Sequence, residues 1–236
     1  MIQAENISKR FGRLKVLKNI SFQFDKGACI ALLGPNGCGK TTLIKMMLGM
    51  VVPDSGTLFF DGTPVAGSNW QYRKRIGYMP QIGRYPENMT IAQIINMMKD
   101  IRHSKDVEPD EELIRDFGLN DMMSKKMRTL SGGTTQKVSA GLAFMFHSDV
   151  LILDEPTAGL DPLSSEILKQ KIIREKEKGK LILITSHILS ELDDLITEVV
   201  YMQEGNFLFH KKLSNLKAET GEQKLSHAIR KIMNVS

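Results

Sequence analysis

The stretch GPNGCGKTT, residues 34–42, matches the phosphate-loop pattern G-x-x-x-x-G-K-[ST] position by position. Backbone amides of residues 36–41 can ring a β-phosphate, Lys40 can neutralise β and γ oxygens, and the hydroxyl of Thr41 can hold Mg²⁺. Gly34, Pro35, Asn36, Gly37, Cys38, Gly39, Lys40, Thr41 and Thr42 are therefore candidate nucleotide contacts. Further along, VLILDEPTAGLD runs from an apolar segment straight into two carboxylates. Asp154 can hold Mg²⁺ through a water, and Glu155, one step further out, can polarise a water that attacks a γ-phosphate. Two adjacent acids repel one another, and a metal with a triphosphate nearby would justify both. A third stretch, TLSGGTTQK at 129–137, places Ser131, Gly132 and Gly133 ahead of helical apolar spacing and reads as a second phosphate cradle.

These groups need a rigid support. The runs ACIALL (28–33), VLILD (150–154) and KLILIT (180–185) are short, continuous and apolar, and read as buried parallel strands. Leu43, Met46, Met47 and Met50 follow the phosphate loop at i, i+3, i+4 and i+7, which supplies the strand, loop, helix order the motif requires. The segment 87–148 has another texture. Thr90 and Gln93 form a capping-box pair before Ile91, Ile94, Ile95 and Met98. A second helix is expected to start near Pro109, and a third after Gly133 with Val138, Leu142, Met145 and Phe146 on one face. The expected organisation is an α/β core over 1–86 and 149–205, an inserted helical block over 87–148, and a strand and helix tail over 206–236. In that tail Leu225, Ile229, Ile232 and Met233 predict an amphipathic helix. The Met pairs in KMML, NMMK and DMMS read as core filling rather than soft-metal ligands.

Composition excludes several classes. The chain has 236 residues, 42% hydrophobic and 25% charged, which is ordinary for a globular protein and speaks against disorder. Its net charge is +5, but the basic residues are interleaved with acids, as in REKEKGK at 174–180, so no nucleic-acid partner is expected. Cys29 and Cys38 form no CxxC pair, which argues against zinc and fits a reducing compartment. No apolar run approaches the roughly 18 residues of a membrane span, and MIQAENISKRFG carries no signal segment. A cytoplasmic chain is expected, with any membrane work done through a partner. His187 lies just past LILITS, where ligands of open α/β sheets gather, although a lone histidine there more often satisfies a turn. Gln81, in IGYMPQ, is ambiguous alone, and His103, His147, His210 and His227 show no ligand spacing.

In this order the pieces resemble the ATPase subunit of ATP-binding cassette (ABC) transporters over nearly the whole chain. GPNGCGKTT is similar to the Walker A loop, Gln81 to the Q-loop, LSGG to the signature, VLILDE to Walker B, GLD (159–161) to the D-loop and His187 to the switch histidine. The resemblance implies a phosphate-loop α/β core with a small antiparallel β subdomain and an inserted α-helical signature subdomain, using ATP and Mg²⁺. It implies catalytic roles for Glu155, His187, Gln81 and Lys40, metal contacts at Thr41, Gln81 and Asp154, and a nucleotide-side role for Asp161. Phe11 occupies the place where the family stacks an aromatic on adenine, and a buried apolar role fits it as well. The resemblance also implies head-to-tail pairing with a second ATPase subunit, most simply another copy. Ser131, Gly132 and Gly133 of one chain then meet the nucleotide of the other, which is what a second cradle is for. Separate transmembrane permease subunits would be engaged from the cytoplasmic face near Gln81 and IGRYPEN, and no residue here would encode cargo. The style of KRIGYMPQIGRYPENMT most resembles ABC-2 type exporters, including the ATPase of the nitrous-oxide-reductase maturation system.

Two departures stand out. Thr134 replaces the glutamine that usually follows the signature, which alters its reach across the pair, and Cys38 stands where serine or alanine is common. A thiol near a helix N-terminus and a lysine predicts oxidant-sensitive activity. A soluble cassette ATPase acting on ribosomes or nucleic acid is the alternative; such chains usually carry two cassettes or a long coiled-coil insertion, and this one has neither. A non-hydrolysing regulatory subunit is a third reading, disfavoured by Glu155 and His187.

Overall fold

The computed structural model describes residues 1–65, 70–102 and 108–235, so His103 and Ser236 lie outside the described residues. The strands are β1 (Ile2–Phe11), β2 (Leu14–Phe24), β3 (Cys29–Leu33), β4 (Ser55–Phe60), β5 (Thr63–Pro64), β6 (Ile76–Met79), β7 (Val150–Asp154), β8 (Leu181–Thr185), β9 (Glu198–Gln203) and β10 (Asn206–Lys212). The helices are α1 (Lys40–Met47), α2 (Ile91–Arg102), α3 (Glu112–Asp116), α4 (Gly132–Phe144), α5 (Pro162–Glu177), α6 (Leu213–Thr220) and α7 (Leu225–Val235). A small antiparallel sheet runs β2-β1-β4-β5, and a larger one runs β10-β9-β3-β8-β7-β6, parallel except at its β10 edge.

The three apolar runs become β3, β7 and β8, buried along their whole length. Alternation at period two explains why continuous hydrophobicity is needed. Ile30, Leu32, Ile152 and Leu183 point to one face, where they join α1 and the antiparallel sheet. Ala31, Leu33, Leu151, Leu153, Ile182 and Ile184 point to the other, where the helices pack. Each fully buried Leu or Ile contributes about 1.5–3 kcal/mol, so neither face can be spared. Met46 and Met47 are buried in the core, as their helical spacing predicts.

Over 87–148 the capping box is realised in both directions. The Thr90 amide donates to Gln93 Oε1 at 2.9 Å, and the Gln93 amide to Thr90 Oγ1 at 3.2 Å. The second helix differs from expectation: α3 begins at Glu112 rather than near Pro109 and ends within five residues. Asp110 Oδ1 accepts from the Glu112 amide and makes a turn first, and Gly118, at φ 66, closes the segment. In the tail, α7 packs Leu225, Ala228 and Ile229 into the same core as the sheet, so its apolar face is turned inward.

A buried ion cluster ties α3 to α5. Lys171, 1% exposed, lies 2.5 Å from Asp110, 2.6 Å from Glu112 and 3.3 Å from Glu175. Removing one member of such a cluster strands the others' charge, so Lys171→Met should cost about 3–5 kcal/mol, read as a fall in the urea midpoint. Burial pushes the Glu175 carboxyl up, but hydrogen bonds from Lys178 and Lys180 with the charges of Lys180 and Lys171 outweigh it and bring its pKa to about 2. The folded pKa lies below the unfolded value, so this stabilisation is full above the unfolded pKa and is lost as pH falls. Between pH 4.5 and about 2, wild type should therefore lose more stability than Glu175→Gln.

Candidate active site

The parallel strands deliver their loops to one edge of the large sheet. β3 leads into the phosphate loop, β6 into Pro80 and Gln81, β7 into Glu155, and β8 into His187. Together they line a cleft of about 520 Å³, walled by Asn36, Gly37, Gly39, Lys40, Thr41, Thr42, Gln81, Asp154, Glu155 and His187, with Leu14 and Val16 of β2 on one side. Gly34, Pro35 and Cys38 belong to the same loop but are not among the residues that wall the cleft.

The loop is tight because it leaves β3 against β9. Gly34 adopts φ 142, and a Cβ there would lie 2.1 Å from the Met202 carbonyl oxygen, so only glycine fits. Helix α1 starts behind Gly39 with no side-chain cap, which leaves its first-turn amides for an anion. Lys40 Nζ donates to the Gly34 carbonyl at 2.6 Å and the Pro35 carbonyl at 3.1 Å, holding the ammonium over the loop. The Cys38 thiol is 3% exposed. Its position beneath Lys40 matches the sequence reading, but burial denies the solvent access that oxidation requires, and the structure does not support oxidant sensitivity.

The acids are set by Thr185. Its hydroxyl donates to Asp154 Oδ1 at 2.5 Å and accepts from the Glu155 amide at 3.0 Å, while its carbonyl accepts from the same amide at 3.1 Å. Glu155 is held at φ 50, in the left-handed region that non-glycine residues rarely occupy. His187 Nε2 lies 3.0 Å from Glu155 Oε1. The two residues that the sequence joined only by resemblance are therefore in contact, at the mouth of the phosphate-loop cleft.

Other predicted residues stand apart from that cleft. Ser131 caps α4, its Oγ accepting from the Thr134 amide at 3.2 Å, and the Thr134 hydroxyl turns back to Ser131 Oγ at 2.9 Å. Gly133 sits against the D-loop, where a Cβ would lie 2.6 Å from the Gly159 carbonyl oxygen. Asp161 caps α5: Oδ1 accepts from the Ser164 amide at 2.9 Å, Oδ2 from the Ser164 hydroxyl at 2.7 Å, and Lys137 Nζ lies 2.9 Å away. Those hydrogen bonds from Ser164 and Lys137 hold its carboxyl far below the usual carboxylate range. Within one chain, Asp161 caps α5 and does not line the phosphate-loop cleft. Phe11 is 51% exposed with Lys9 over its ring, which rules out the buried apolar role.

The ABC transporter family profile matches residues 17–158. The chain belongs to the ABC transporter family. It is 33% identical over 211 residues to the linearmycin resistance ATP-binding protein LnrL of Bacillus subtilis, covering 88% of this chain and 68% of that one. It is 35% identical over 211 residues to the Nod factor export ATP-binding protein I of Burkholderia lata, covering 86% and 68%. A solved ATP-binding subunit of an ABC transporter superposes with a TM-score of 0.91 at 26% identity, covering 99% of both chains. The chain is thus an ATP-binding, ATP-hydrolysing cassette on a phosphate-loop α/β fold, as its motifs implied.

Sequence reasoning missed Thr185 and Gln136. Gln136 is 5% exposed and its Nε2 approaches the Glu155 carbonyl at 3.4 Å. For Thr185 a signal was present: a lone hydroxyl closes an otherwise apolar strand. Thr185→Val removes the bond to Asp154 and one of the two to the Glu155 amide. It should lower kcat by roughly fivefold to tenfold with little change in ATP affinity, measured by steady-state phosphate release and nucleotide titration.

Proposed function

We propose that this cassette powers an ABC exporter, hydrolysing ATP between two copies of the chain and passing the resulting motion to separate transmembrane subunits at the cytoplasmic face. The contact between Glu155 and His187 beside the phosphate loop carries the reading. Glu155 takes the role of general base toward an attacking water, and His187 holds its carboxylate in place. Lys40 and the uncapped amides of α1 receive the β and γ phosphates.

Thr41, Gln81 and Asp154 share the cleft wall, all with hard oxygen donors, and among the described residues no group of three His, Cys, Asp or Glu could hold a metal ion alone. That donor set suits Mg²⁺, which keeps waters and phosphate oxygens in its shell. Bound there, the ion would neutralise charge on the phosphates.

The signature supports pairing. Ser131, Gly132 and Gly133 do not line their own chain's cleft, and the N-terminus of α4 serves a nucleotide held by a second copy. Among the described residues no helix is long and apolar enough to cross a membrane. Ile82, 67% exposed directly after Gln81, supports docking at that surface. The relatives' names, resistance in one and export in the other, support export over action on ribosomes or nucleic acid. They add nothing for the nitrous-oxide-reductase maturation system.

Glu155→Gln should lower turnover by about 10²–10⁴-fold while ATP still binds. Light scattering on this variant should give a doubled mass with Mg-ATP and a single-chain mass with Mg-ADP. Retained turnover would remove Glu155 from the base role, and a single-chain mass in Mg-ATP would overturn the homodimer.

A further inference from the structure

Between His187 and β9 the chain makes an irregular segment that includes a short 3-10 turn, Leu189–Glu191. Lys176 Nζ of α5 donates to the Leu195 carbonyl at 3.0 Å and Thr197 makes backbone bonds at the entry to β9; three further polar ties bear on His187. His187 meets Glu155 at one end, as described. In the middle, Thr157, two residues past Glu155, donates its hydroxyl to Glu191 Oε2 at 2.5 Å. At the far end Asp193 Oδ1 accepts from the backbone amide of Leu225, the first residue of α7, at 2.9 Å, and Lys217 Nζ of α6 lies 3.4 Å from the same oxygen.

The third tie is of a different kind, because its partners belong to the C-terminal tail. Leu192, 2% exposed, and Leu195, 4% exposed, enter the core cluster that also holds Leu225 and Ile229. Asp193 faces out of that packing and caps α7 from outside it. A helix capped by a carboxylate from another segment holds that segment in return, since the bond constrains both partners. Lys217 supplies the countercharge that keeps the carboxylate in place.

We propose that Asp193 is a positioning residue for hydrolysis: the tail helices α6 and α7 hold the far end of the switch segment through it, and so hold His187 against Glu155. This rests on the catalytic reading of Glu155 and His187 given above. The tail acts as a strut on the switch segment, and loosening the strut lets His187 leave Glu155 without touching the phosphate loop.

The test uses the full chain with Asp193→Ala, Asp193→Asn, His187→Ala and the Asp193→Ala/His187→Ala pair. Phosphate release, affinity for a fluorescent ATP analogue and hydrogen exchange of the 187–196 amides are measured on each. Asp193→Ala should lower kcat by about fivefold, the ratio that loss of a helix cap produces in a local equilibrium, with nucleotide affinity unchanged and faster exchange in 187–196. Asn, whose side-chain oxygen still accepts from the Leu225 amide, should restore most of the rate. In single-turnover measurements on His187→Ala, adding Asp193→Ala should cost nothing further, because its effect runs through His187. The proposal fails if Asp193→Ala turns over like wild type, if nucleotide affinity falls along with kcat, or if the two effects multiply. It fails equally if the Ala variant does not fold while a folded Asn variant shows a full loss of rate. Should His187→Ala itself match wild type, the catalytic reading fails instead, and the Asp193 result is then judged by exchange alone: unchanged exchange in 187–196 rejects the strut.

Discussion

Parallel pairing of β7 with β8 sets Asp154 opposite Thr185, and the rest of the site depends on that register. Parallel strands send their carboxyl ends to the same edge, so four loops with unrelated sequences converge there. A slip of one residue would turn the Thr185 hydroxyl to the opposite face and leave Asp154 and the Glu155 amide without their partner. The register is held by the two-faced burial of β3, β7 and β8, whose alternate residues enter two different cores. Catalytic geometry is here a consequence of hydrophobic packing some distance below it.

Backbone strain is placed where that packing can hold it. A left-handed glutamate costs of order 1–3 kcal/mol and persists only where its surroundings over-determine it. At Glu155 they do so through two acceptors on Thr185 and the side chain of Gln136. The turn brings the carboxylate to His187, a residue carried by a different strand. On the other side of the cleft, the close approach of Gly34 to Met202 does a similar job for the phosphate loop.

The signature end of α4 is built into the same turn from behind. Gln136 reaches the Glu155 carbonyl, Lys137 pairs with Asp161, and Gly133 lies on the Gly159 carbonyl. Thr134, which departs from the usual glutamine, spends its hydroxyl on Ser131 within its own helix turn. The N-terminal turns of α4 thus contact both the D-loop and the Glu155 turn directly. These contacts join the proposed partner-facing end of α4 to the Glu155 turn.

What could be read without coordinates was whatever local spacing encodes. The phosphate loop, the two acids, the capping box at Thr90 and Gln93, and the three buried strands each follow from residues within a few positions of one another, and α/β architecture follows from their order. His187 and Gln81 were ambiguous alone, since nothing local says which loop a single side chain will face. The late start of α3 turned on an Asx turn at Asp110 that competes with helix, and the cap at Asp193 on a tail more than thirty residues away. Sequence alone determined the chemistry available and the strands to carry it, because both are matters of residue type and short-range period. Tertiary structure alone decided which groups touch: Thr185 with Asp154, Glu155 with His187, and Asp161 with Lys137. Those contacts join residues far apart in the chain, and only the packing of two sheet faces brings them within hydrogen-bond reach.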